Sequence, residues 1–350
     1  MAANNRTTYD VLIAGAGPAG AAAAKKLVDI GYRVAIAEKR QLPRYKICSG
    51  LVIDRAQDLL NEYFGDPPEE VFCAPALLKG VRICPKGDII SDFPLGKPYI
   101  YNVWRSSFDR WLVQQSGADV LEEHKLIGFR QAESAVYADI EDPDKELLHI
   151  KASYLIGADG GSSLARNRLD STFNKQVHWN TFVQLYCTGD IELDPEFYYM
   201  FFDPSLQAFY TWLHYKDDYL VYGVGTRIGE SLSSCVDEST KYLEKYFDLK
   251  VDSVNRKTGC IVSDMAVSGN FMPGGGRVLL AGEAAGFMNV FGEGISSALA
   301  TGHLAASAIC EADASGDPVL PIYEELLEPE KRMTVQSWGI AGDLSIAKKQ

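Results

Sequence analysis

The sequence predicts an α/β fold in which a Rossmann-like dinucleotide-binding domain carries an inserted β-rich domain. Two observations predict this class: a glycine-rich strand–turn–helix–strand unit at the N-terminus, and a region beyond residue 170 that is rich in aromatic and β-branched residues. A chain of 350 residues with 47% apolar residues can bury a large core, and its length favours about two domains.

The N-terminal unit contains each part that a dinucleotide site requires. Gly15 permits the tight turn after the first strand, Gly17 lets the backbone approach a pyrophosphate, and Gly20 allows the helix to pack closely on the strand. The helix N-terminus supplies N–H groups for the phosphates, and Glu38, after the second strand, can accept hydrogen bonds from ribose hydroxyls. The predicted cofactor-binding residues of this unit are Gly15, Gly17, Pro18, Ala19, Gly20, Glu38 and Lys39.

Two later glycine-acid turns indicate that the dinucleotide is FAD. A short apolar strand runs into Asp159, and a second one ends at Glu283 before an alanine-rich helix. An extended cofactor needs such separate anchors: Glu283 can hold ribityl hydroxyls, and the backbone of residues 292–295 can face the ring where negative charge develops on reduction. The predicted FAD site therefore also includes Arg105, Asp159, Gly160, Gly282, Glu283, Gly292, Gly294 and Ile295.

These motifs together resemble the p-hydroxybenzoate hydroxylase-like FAD oxidoreductases and, among them, the geranylgeranyl reductase family. Lys46-Ile-Cys48-Ser-Gly50 is similar to the cysteine loop of that family, and Arg105-Ser-Ser-Phe-Asp is similar to the start of its Arg-x-x-Phe-Asp-x-x-Leu segment. Tyr210-Thr-Trp212 resembles its Tyr-x-Trp substrate motif. The resemblance implies a Rossmann-like FAD-binding domain with an inserted β-rich substrate domain. It also implies reduction of carbon–carbon double bonds, in an isoprenoid or other apolar substrate, by hydride transfer from reduced flavin.

The chain departs from the family's pattern at several places, including a missing proline in the flavin loop, where the sequence reads Phe287-Met-Asn-Val-Phe291. Glu283 stands where Asp is usual, and Gln207, His214 and Tyr215 take the places of prolines and a Phe around the Tyr-x-Trp motif. These departures favour a pocket that is more polar or differently shaped than the family's.

The catalytic candidates lie in the cysteine loop and on one predicted strand. Cys48 is either a thiol of the substrate pocket or an ordinary buried cysteine. Tyr210, Trp212 and His214 alternate and so share one face of their strand. They would wall an apolar pocket over the flavin, with His214 available to protonate a substrate, or they would pack in the core. Cys48, Tyr210 or a bound water is the expected proton donor to the alkene.

Several charged residues have both a functional and a structural interpretation. Arg105 would contact the phosphates or ribityl chain of FAD, or it would pair with Asp109 one helical turn later. Glu293 would be exposed to substrate at the flavin edge, or it would cap the following helix. Arg44 and Lys46 are expected to be solvated loop charges.

Two other functions stay open from the residues alone. An FAD-dependent monooxygenase would use the same fold to hydroxylate a small aromatic, and the polar His214 suits such a pocket. A non-catalytic or redox-sensing flavoprotein would use FAD as a structural or sensing ligand. No second GxGxxG marks a separate NADPH domain, so NAD(P)H would bind transiently on the side of Asp159, or a ferredoxin would serve as electron donor.

The composition of the chain argues against several other classes of protein function. The net charge of −13, without a run of Lys and Arg, argues against nucleic acid as a partner. The seven cysteines show no paired spacing and no CxxC, which predicts neither a disulfide framework nor a metal site. With no secretory-type or membrane-spanning segment, a cytoplasmic enzyme with a small apolar substrate is expected. A lipid substrate would bring it to a membrane surface, and such a peripheral contact stays open.

The predicted domains are interleaved along the chain. Residues 1–70, 101–170 and 263–350 are predicted to form the FAD-binding domain, and residues 71–100 and 171–262 the substrate-binding domain. Helices are expected near residues 52–63, 105–116, 231–247 and 296–310.

Overall fold

A computed structural model describes residues 7–345 of the chain, except residues 86, 90, 94, 95, 204, 207, 209, 290 and 291. The predicted N-terminal unit is present as β1 (Thr8–Ala14), α1 (Pro18–Asp29) and β2 (Val34–Glu38). Every residue of β2 is buried, and all but the start of β1 is covered, because these strands form the centre of a sheet with helices packed on it. The predicted α/β class is confirmed.

The other elements follow in chain order. The strands are β3 (Leu51–Val52), β4 (Phe72–Leu78), β5 (Gly80–Pro85), β6 (Ser91–Phe93), β7 (Ile100–Val103), β8 (Asp119–Glu122), β9 (Lys125–Gln131), β10 (Val136–Glu141), β11 (Leu147–Gly157), β12 (Trp179–Asp190), β13 (Phe197–Phe202), β14 (Tyr210–Lys216), β15 (Tyr219–Arg227), β16 (Lys250–Ser263), β17 (Gly274–Gly275) and β18 (Val278–Leu280). The helices are α2 (Asp54–Tyr63), α3 (Arg105–Ser116), α4 (Leu164–Leu169), α5 (Leu232–Phe247), α6 (Ile295–Ser315) and α7 (Val319–Ser345).

The first sheet brings the three glycine-acid turns together. Its main order is β17-β18-β11-β1-β2-β8, with β10 and β9 added beside β11. Strands β18, β11, β1 and β2 are parallel, with Gly157 opposite both Ala14 and Leu280. Their carboxyl ends therefore meet at one edge of the sheet, which is where α/β proteins bind ligands. The turns that begin at Gly15, Asp159 and Gly282 all follow strands at this edge.

The second sheet has seven strands in the order β16-β12-β15-β14-β13-β5-β6. Neighbouring strands are antiparallel except β13 and β5, which are parallel. One face packs on α5 through a core that includes Tyr199, Leu213 and Leu243. The other face carries a smaller apolar cluster around Trp212, into which the third sheet, β3-β7-β4, inserts Leu78 and Ile100.

Helix α6 runs against α1 beneath the first sheet. Gly302 allows this close approach, because a Cβ there would lie 2.0 Å from the carbonyl oxygen of Ala19. The helix is longer than the expected 296–310 and ends where Gly316 adopts φ +82°, a conformation that stops helices. In the described part of the chain, each helix is too short or too polar to cross a membrane.

Candidate flavin site

The glycines of the N-terminal turn differ in what they permit. Gly15 has φ +106°, and a Cβ on it would lie 2.4 Å from the carbonyl oxygen of Ala158. A Cβ on Gly20 would lie 2.1 Å from the carbonyl oxygen of Gly15. The fold itself therefore requires both glycines. Gly17 has ordinary backbone angles, and the nearest atom to its Cβ position is Nη2 of Arg44 at 3.9 Å, so the protein leaves this side open for a ligand.

Glu38, the predicted ribose contact, is buried at the end of β2. Its Oε2 accepts a hydrogen bond from the N–H of Ala16 (3.1 Å), and its Oε1 accepts one from the N–H of Arg40 (3.1 Å). The Arg44 Nε lies 3.1 Å from Oε2. The Glu38 carboxylate is thus anchored to the glycine-rich turn that would face the adenosine.

Arg44 is a functional candidate that the sequence did not predict. It was expected to be a solvated loop charge, but only 12% of its side chain is exposed. Its Nη1 donates to Asp109 (2.8 Å) and its Nη2 to the carbonyl of Ala16 (3.0 Å). The expectation is wrong because the partner, Asp109, comes from a distant segment of the chain that the fold brings alongside. Lys46, in contrast, is exposed as expected.

Arg105 adopts the structural pairing with Asp109. Its Nε and Nη2 donate to the two carboxylate oxygens at 2.8 and 3.0 Å, and Asp109 is fully buried. Burial alone would lower the pKa of Arg105, but Asp109 and then Cys48 outweigh it and hold that pKa above its usual value. Two arginines and two carboxylates, those of Asp109 and Glu38, therefore form one buried ion-pair network beside the glycine-rich turn.

The carboxylates of the two later turns, Asp159 and Glu283, lie close to each other, and each has one buried oxygen without a hydrogen-bond partner. Asp159 caps α4, since its Oδ2 accepts hydrogen bonds from the N–H groups of Leu164 (2.7 Å) and Ala165 (3.1 Å). Its Oδ1 is buried without a partner, and so is Oε1 of Glu283. Glu283 lies against the Asp159 turn, because a Cβ on Gly161 would be 2.4 Å from Oε1.

Burial raises the pKa of the Glu283 carboxyl, while Lys46 and Arg166 oppose that shift. Buried acceptors without donors are costly, and a polyhydroxyl chain would supply the missing donors. The residues present therefore fit the ribityl part of FAD.

Arg166 joins the two later turns. It is fully buried on α4 and donates through Nη1 to the carbonyl oxygens of Ala284 (2.8 Å) and Glu283 (3.3 Å). Its Nη2 donates to the carbonyl of Gly161, and its Nε to Oδ1 of Asn174 (3.0 Å). The sequence showed an arginine after the Asp-Gly turn, but nothing in it indicated that the side chain reaches back to the backbone of a turn more than a hundred residues later.

The last turn leads into the N-terminus of α6. Gly292 has φ +77°, Gly294 precedes the helix, and Ile295 is its buried first residue. Glu293 caps this helix: its Oε1 accepts from the N–H of Ser296 (2.9 Å), and its Oε2 from Nδ2 of Asn289 (2.7 Å). The capping interpretation of Glu293 is therefore the one that the structure supports.

The substrate-motif face of β14 lies inside the molecule. Trp212 is buried and packs near Phe182, with ring centroids 6.0 Å apart, in the apolar cluster that also contains Tyr198 and Met200. Tyr210 begins β14, but its side chain lies outside the described part of the chain, as does Gln207. Trp212 thus packs in an apolar core cluster, as one of its two interpretations predicted. The roles of Trp212 and Tyr210 in a substrate pocket stay predictions.

His214 is fully buried and neutral. Its Nε2 lies 3.1 Å from the carbonyl oxygen of Ser49, and because a carbonyl can only accept, this nitrogen carries the proton. Burial, followed by the charge of Lys216, lowers the pKa of His214 well below its usual value. With its single N–H already used, His214 serves in this arrangement to hold the cysteine loop. Donation of a proton to substrate would require that bond to break.

Cys48 lies between the two parts of the site. It is partly exposed, its Sγ accepts from the N–H of Gly50 (3.3 Å), and its carbonyl accepts from Nε2 of Gln184 (3.4 Å). Arg105 approaches it from the flavin side, and Tyr186 and Tyr198 approach it from the second sheet. The structure thus places Cys48 between Arg105 and the second sheet, and its role as a thiol of the substrate pocket stays a prediction.

Residues around the cysteine loop that were missed from the sequence include Gln184, Tyr198 and Lys216. Gln184 donates to Tyr186 through Nε2 (2.6 Å), and the hydroxyl of Tyr198 lies 3.5 Å from Oγ of Ser49. Lys216 continues the alternation of Trp212 and His214 on β14. That alternation could have predicted that Lys216 shares the face of Trp212 and His214. No pattern in the sequence around Gln184 indicated its position.

Comparison with known proteins identifies the matching family and fold. The model of the family described as FAD binding domain matches residues 8–190. A geranylgeranyl diphosphate reductase of Rhodobacter capsulatus is 28% identical over 89% of this chain and 77% of its own length. Protein CbrA of Escherichia coli K12 is 29% identical over 83% of this chain and 81% of its own length.

Solved structures share the fold. A geranylgeranyl bacteriochlorophyll reductase-like protein of Thermoplasma acidophilum has a TM-score of 0.76 at 22% identity, covering 94% of this chain and 85% of its own. The flavin-dependent halogenase CmlS has a TM-score of 0.70 at 18% identity, over 95% of this chain and 63% of its own. Aklavinone-11 hydroxylase, solved with FAD and aklavinone, has a TM-score of 0.67 at 19% identity, over 87% of this chain and 63% of its own. The resemblance to geranylgeranyl reductases that the motifs predicted is confirmed.

Proposed function

Since this chain belongs to the family of FAD-binding domains, we propose that it is an FAD-dependent reductase of carbon–carbon double bonds in an apolar, isoprenoid-like substrate. The observation that carries the proposal is the apolar face of the second sheet. There Trp212, Phe182 and Met200 form one buried cluster. The next residue on the same face of β14, His214, contacts the cysteine loop at Ser49. An apolar wall is what an isoprenoid chain requires, because burying its surface supplies most of the binding free energy.

The residues of the three turns would bind and orient the cofactor. Gly17 leaves the backbone open to the pyrophosphate, Glu38 faces the ribose, and Glu283 with Asp159 accepts from the ribityl hydroxyls. Bound FAD would supply the hydride chemistry of the reaction. The N-terminus of α6 adds a positive dipole end near the last turn, where reduced flavin would place negative charge.

The cysteine loop would supply the proton. An isolated alkene has no carbonyl to stabilise a carbanion, so an acid must be held at a fixed place beside the carbon that receives the proton. Cys48 is anchored on both sides, through its Sγ to Gly50 and through its carbonyl to Gln184. Its thiol is a suitable candidate donor, because thiols are among the side-chain groups that act as general acids.

We also propose the remaining properties of such an enzyme. Electrons would come from NAD(P)H bound transiently on the Asp159 side or from a ferredoxin. The enzyme would be cytoplasmic and would contact a membrane surface only while it exchanges a lipid substrate. The relative from Rhodobacter capsulatus carries geranylgeranyl diphosphate in its name, which makes that compound the first probe.

A monooxygenase is the second candidate function. Polar groups of Gln184, Tyr186 and the His214–Ser49 pair lie near the cysteine loop, and such groups would suit a small aromatic with a hydroxyl group. The similar solved hydroxylase supports only the shared fold. A redox-sensing role without turnover is the third candidate.

The experiment uses purified holoprotein with its FAD reduced by dithionite under anaerobic conditions. Reduced protein is mixed with geranylgeranyl diphosphate, and the return of oxidised flavin absorbance is followed together with the mass of the product. A gain of two mass units per reduced double bond supports the reductase. Oxidation of NAD(P)H that requires both O₂ and an aromatic substrate supports the monooxygenase and overturns the reductase. No reoxidation with either class of substrate supports the sensor.

A further inference from the structure

Three exposed cations surround one tyrosine at the start of the cysteine loop. The guanidinium of Arg256, on β16, lies 4.5 Å from the ring centre of Tyr45. Nη1 of Arg40 donates to the carbonyl oxygen of Tyr45 (3.1 Å), and Lys46 is the next residue. In the described part of the chain, none of these three cations is ion-paired with a carboxylate. We call Arg40, Lys46 and Arg256 the basic cluster; in a chain of net charge −13 it is a local site for an anion.

The basic cluster is attached to the second sheet and lies beside the flavin turns. The hydroxyl of Tyr45 lies 2.8 Å from Oγ1 of Thr258 on β16, and it donates to the hydroxyl of Tyr186 on β12 (3.2 Å). Burial raises the pKa of the Glu283 carboxyl, and Lys46 is the strongest of the groups that oppose this shift. The ammonium of Lys46 is therefore close to the turn of Glu283.

Strand β16 changes from charged to apolar with distance from the basic cluster. Arg256, Thr258, Cys260 and Val262 share one face of this strand, because alternate residues point to the same side. Arg256 is exposed, whereas Cys260 and Val262 are partly buried and pack against the apolar cluster of Trp212. The six residues from Arg256 to Val262 span about 20 Å, which is long enough for several isoprene units.

The neighbouring strand β12 changes in the same direction. Tyr186, whose hydroxyl belongs to the polar group around Tyr45, pairs with Arg256. Phe182, which belongs to the apolar cluster, pairs with Cys260. The two strands therefore form one surface with a cationic end and an apolar end, which matches a molecule with an anionic head and an apolar tail.

We propose that the basic cluster binds a phosphate or diphosphate group at one end of the substrate, while the apolar tail lies along Phe182, Val262 and Trp212. Guanidinium groups match the geometry of phosphate oxygens, and the lysine adds a compact charge. This inference rests on the proposed function and deepens it, because it makes the substrate an anionic amphiphile rather than a neutral isoprenoid.

The test compares two ligands that share a tail and differ in the head. Oxidised holoprotein, without an electron donor, is dialysed to equilibrium against labelled geranylgeranyl diphosphate or labelled geranylgeraniol, and each Kd is measured. We expect wild type to bind the diphosphate roughly tenfold more tightly or better, because its head forms charge-assisted contacts. The preference should shrink as NaCl is added, because salt screens exposed charges.

Variants of the basic cluster assign the effect to its residues. Arg256→Met and Lys46→Met should each weaken binding of the diphosphate roughly tenfold and leave binding of geranylgeraniol unchanged. Arg256→Lys keeps the charge and should keep most of the preference. Lys257→Met is the matched control, because Lys257 is the next residue of β16, is exposed, carries the same formal charge and lies on the opposite face. It should change neither Kd.

Equal affinities of wild type for the two ligands overturn the headgroup site and leave the reductase proposal intact. The same holds if Lys257→Met loses as much affinity as Arg256→Met. Weaker binding of both ligands in Arg256→Met, not restored in Arg256→Lys, would make Arg256 a structural partner of Tyr45 and contradict the inference.

NADPH also carries a phosphate, so its binding and that of NADH are measured with the same variants. If Arg256→Met and Lys46→Met weaken only the binding of NADPH, the cluster serves the electron donor and the inference is wrong. If wild-type holoprotein binds neither isoprenoid, the proposed substrate class is wrong, and this inference falls with it.

Discussion

Trp212 and Gly223 lie directly opposite each other on β14 and β15, and the indole of Trp212 lies across the α-carbon of Gly223. A Cβ on Gly223 would be only 2.0 Å from Cζ2 of that indole. The glycine therefore lets the largest aromatic side chain of the proposed pocket lie flat on the sheet, where Phe182 and Met200 complete the wall.

Gly223→Ala should consequently displace the indole without touching the FAD site. We expect a loss of about 2 kcal/mol in the free energy of unfolding, because overpacking forces side chains off their preferred positions. We also expect turnover of an apolar substrate to fall at least tenfold while FAD content is unchanged. Thermal unfolding and tryptophan fluorescence measure the first effect, and reoxidation kinetics measure the second.

Gly80→Ala is the control for this change. Gly80 lies on β5 of the same sheet, and the nearest atom to its Cβ position is a ring carbon of Phe197 at an ordinary 3.6 Å. It should cost little stability and leave turnover unchanged. Equal effects of Gly80→Ala and Gly223→Ala would show that neither stability nor turnover depends on the position of the Trp212 indole.

Of the N-terminal glycines, Gly20 is required for folding, whereas Gly17 is expected to be required only for FAD binding. Gly20→Ala should prevent correct folding, because its Cβ would be 2.1 Å from a backbone oxygen. Gly17→Ala has room in the protein and should keep the stability of the apoprotein, yet it should weaken FAD binding at least tenfold if the pyrophosphate approaches this residue. Thermal unfolding of the apoprotein and titration with FAD distinguish the two. Unchanged FAD affinity in Gly17→Ala would place the pyrophosphate elsewhere.

Local sequence patterns predicted the turns and several helices because their causes are local. Gly15 needs a positive φ that glycine adopts readily, and α3 begins and ends at the expected residues, Arg105 and Ser116. The helix expected near residues 231–247 begins after Ser231, whose side chain accepts a hydrogen bond from the N–H of Ser234. Each of these features depends on residues a few positions apart.

The partners of the buried charges could not be predicted, because they lie far apart in the sequence. Arg44 pairs with Asp109, 65 residues away, and Arg166 reaches Ala284, 118 residues away. A charged residue read from the sequence alone is best assigned to the surface. Only the fold shows that Arg44, Arg166 and Lys216 are enclosed, and these three residues hold the loops of the candidate site.

Arg166→Met should uncouple the two later turns. The carbonyl groups of Gly161, Glu283 and Ala284 would lose their donor inside the protein, and a buried acceptor without a partner is costly. We expect the free energy of unfolding to fall by about 3 kcal/mol and FAD binding to weaken strongly. Denaturant unfolding and FAD titration measure both quantities.

Arg168→Met tests whether the effect belongs to the position rather than to the loss of a charge. Arg168 is on the same helix but exposed, and it donates to a single carbonyl, that of Ile127. Its replacement should leave FAD affinity unchanged. If Arg166→Met retained wild-type FAD affinity, the two turns would not depend on this arginine.

Glu283 predicts a dependence on pH whose sign follows from its burial. Burial raises the pKa of this carboxyl above its ordinary value of 4.5, although Lys46 and Arg166 oppose the shift. The folded apoprotein therefore holds this proton more tightly than the unfolded chain does. The bound proton of Glu283 therefore stabilises the folded state below the pKa that this carboxyl has in the unfolded chain. That stabilisation is lost as the pH rises through the pKa of Glu283 in the folded protein.

Glu283→Gln removes that loss, so the apoprotein should be more stable than wild type at neutral pH, with the difference shrinking as the pH falls toward 4.5. FAD affinity should change in the opposite direction, because a neutral amide oxygen accepts hydrogen bonds from hydroxyls more weakly than a carboxylate does. Denaturant unfolding across this pH range and FAD titration at neutral pH provide the two measurements.

Glu311→Gln is the control, at an exposed position of α6, and it should change neither the stability nor the FAD affinity. A carboxylate that destabilises the empty protein and strengthens ligand binding belongs to the ligand site, whereas a Glu283→Gln protein less stable than wild type at every pH would make it a structural group.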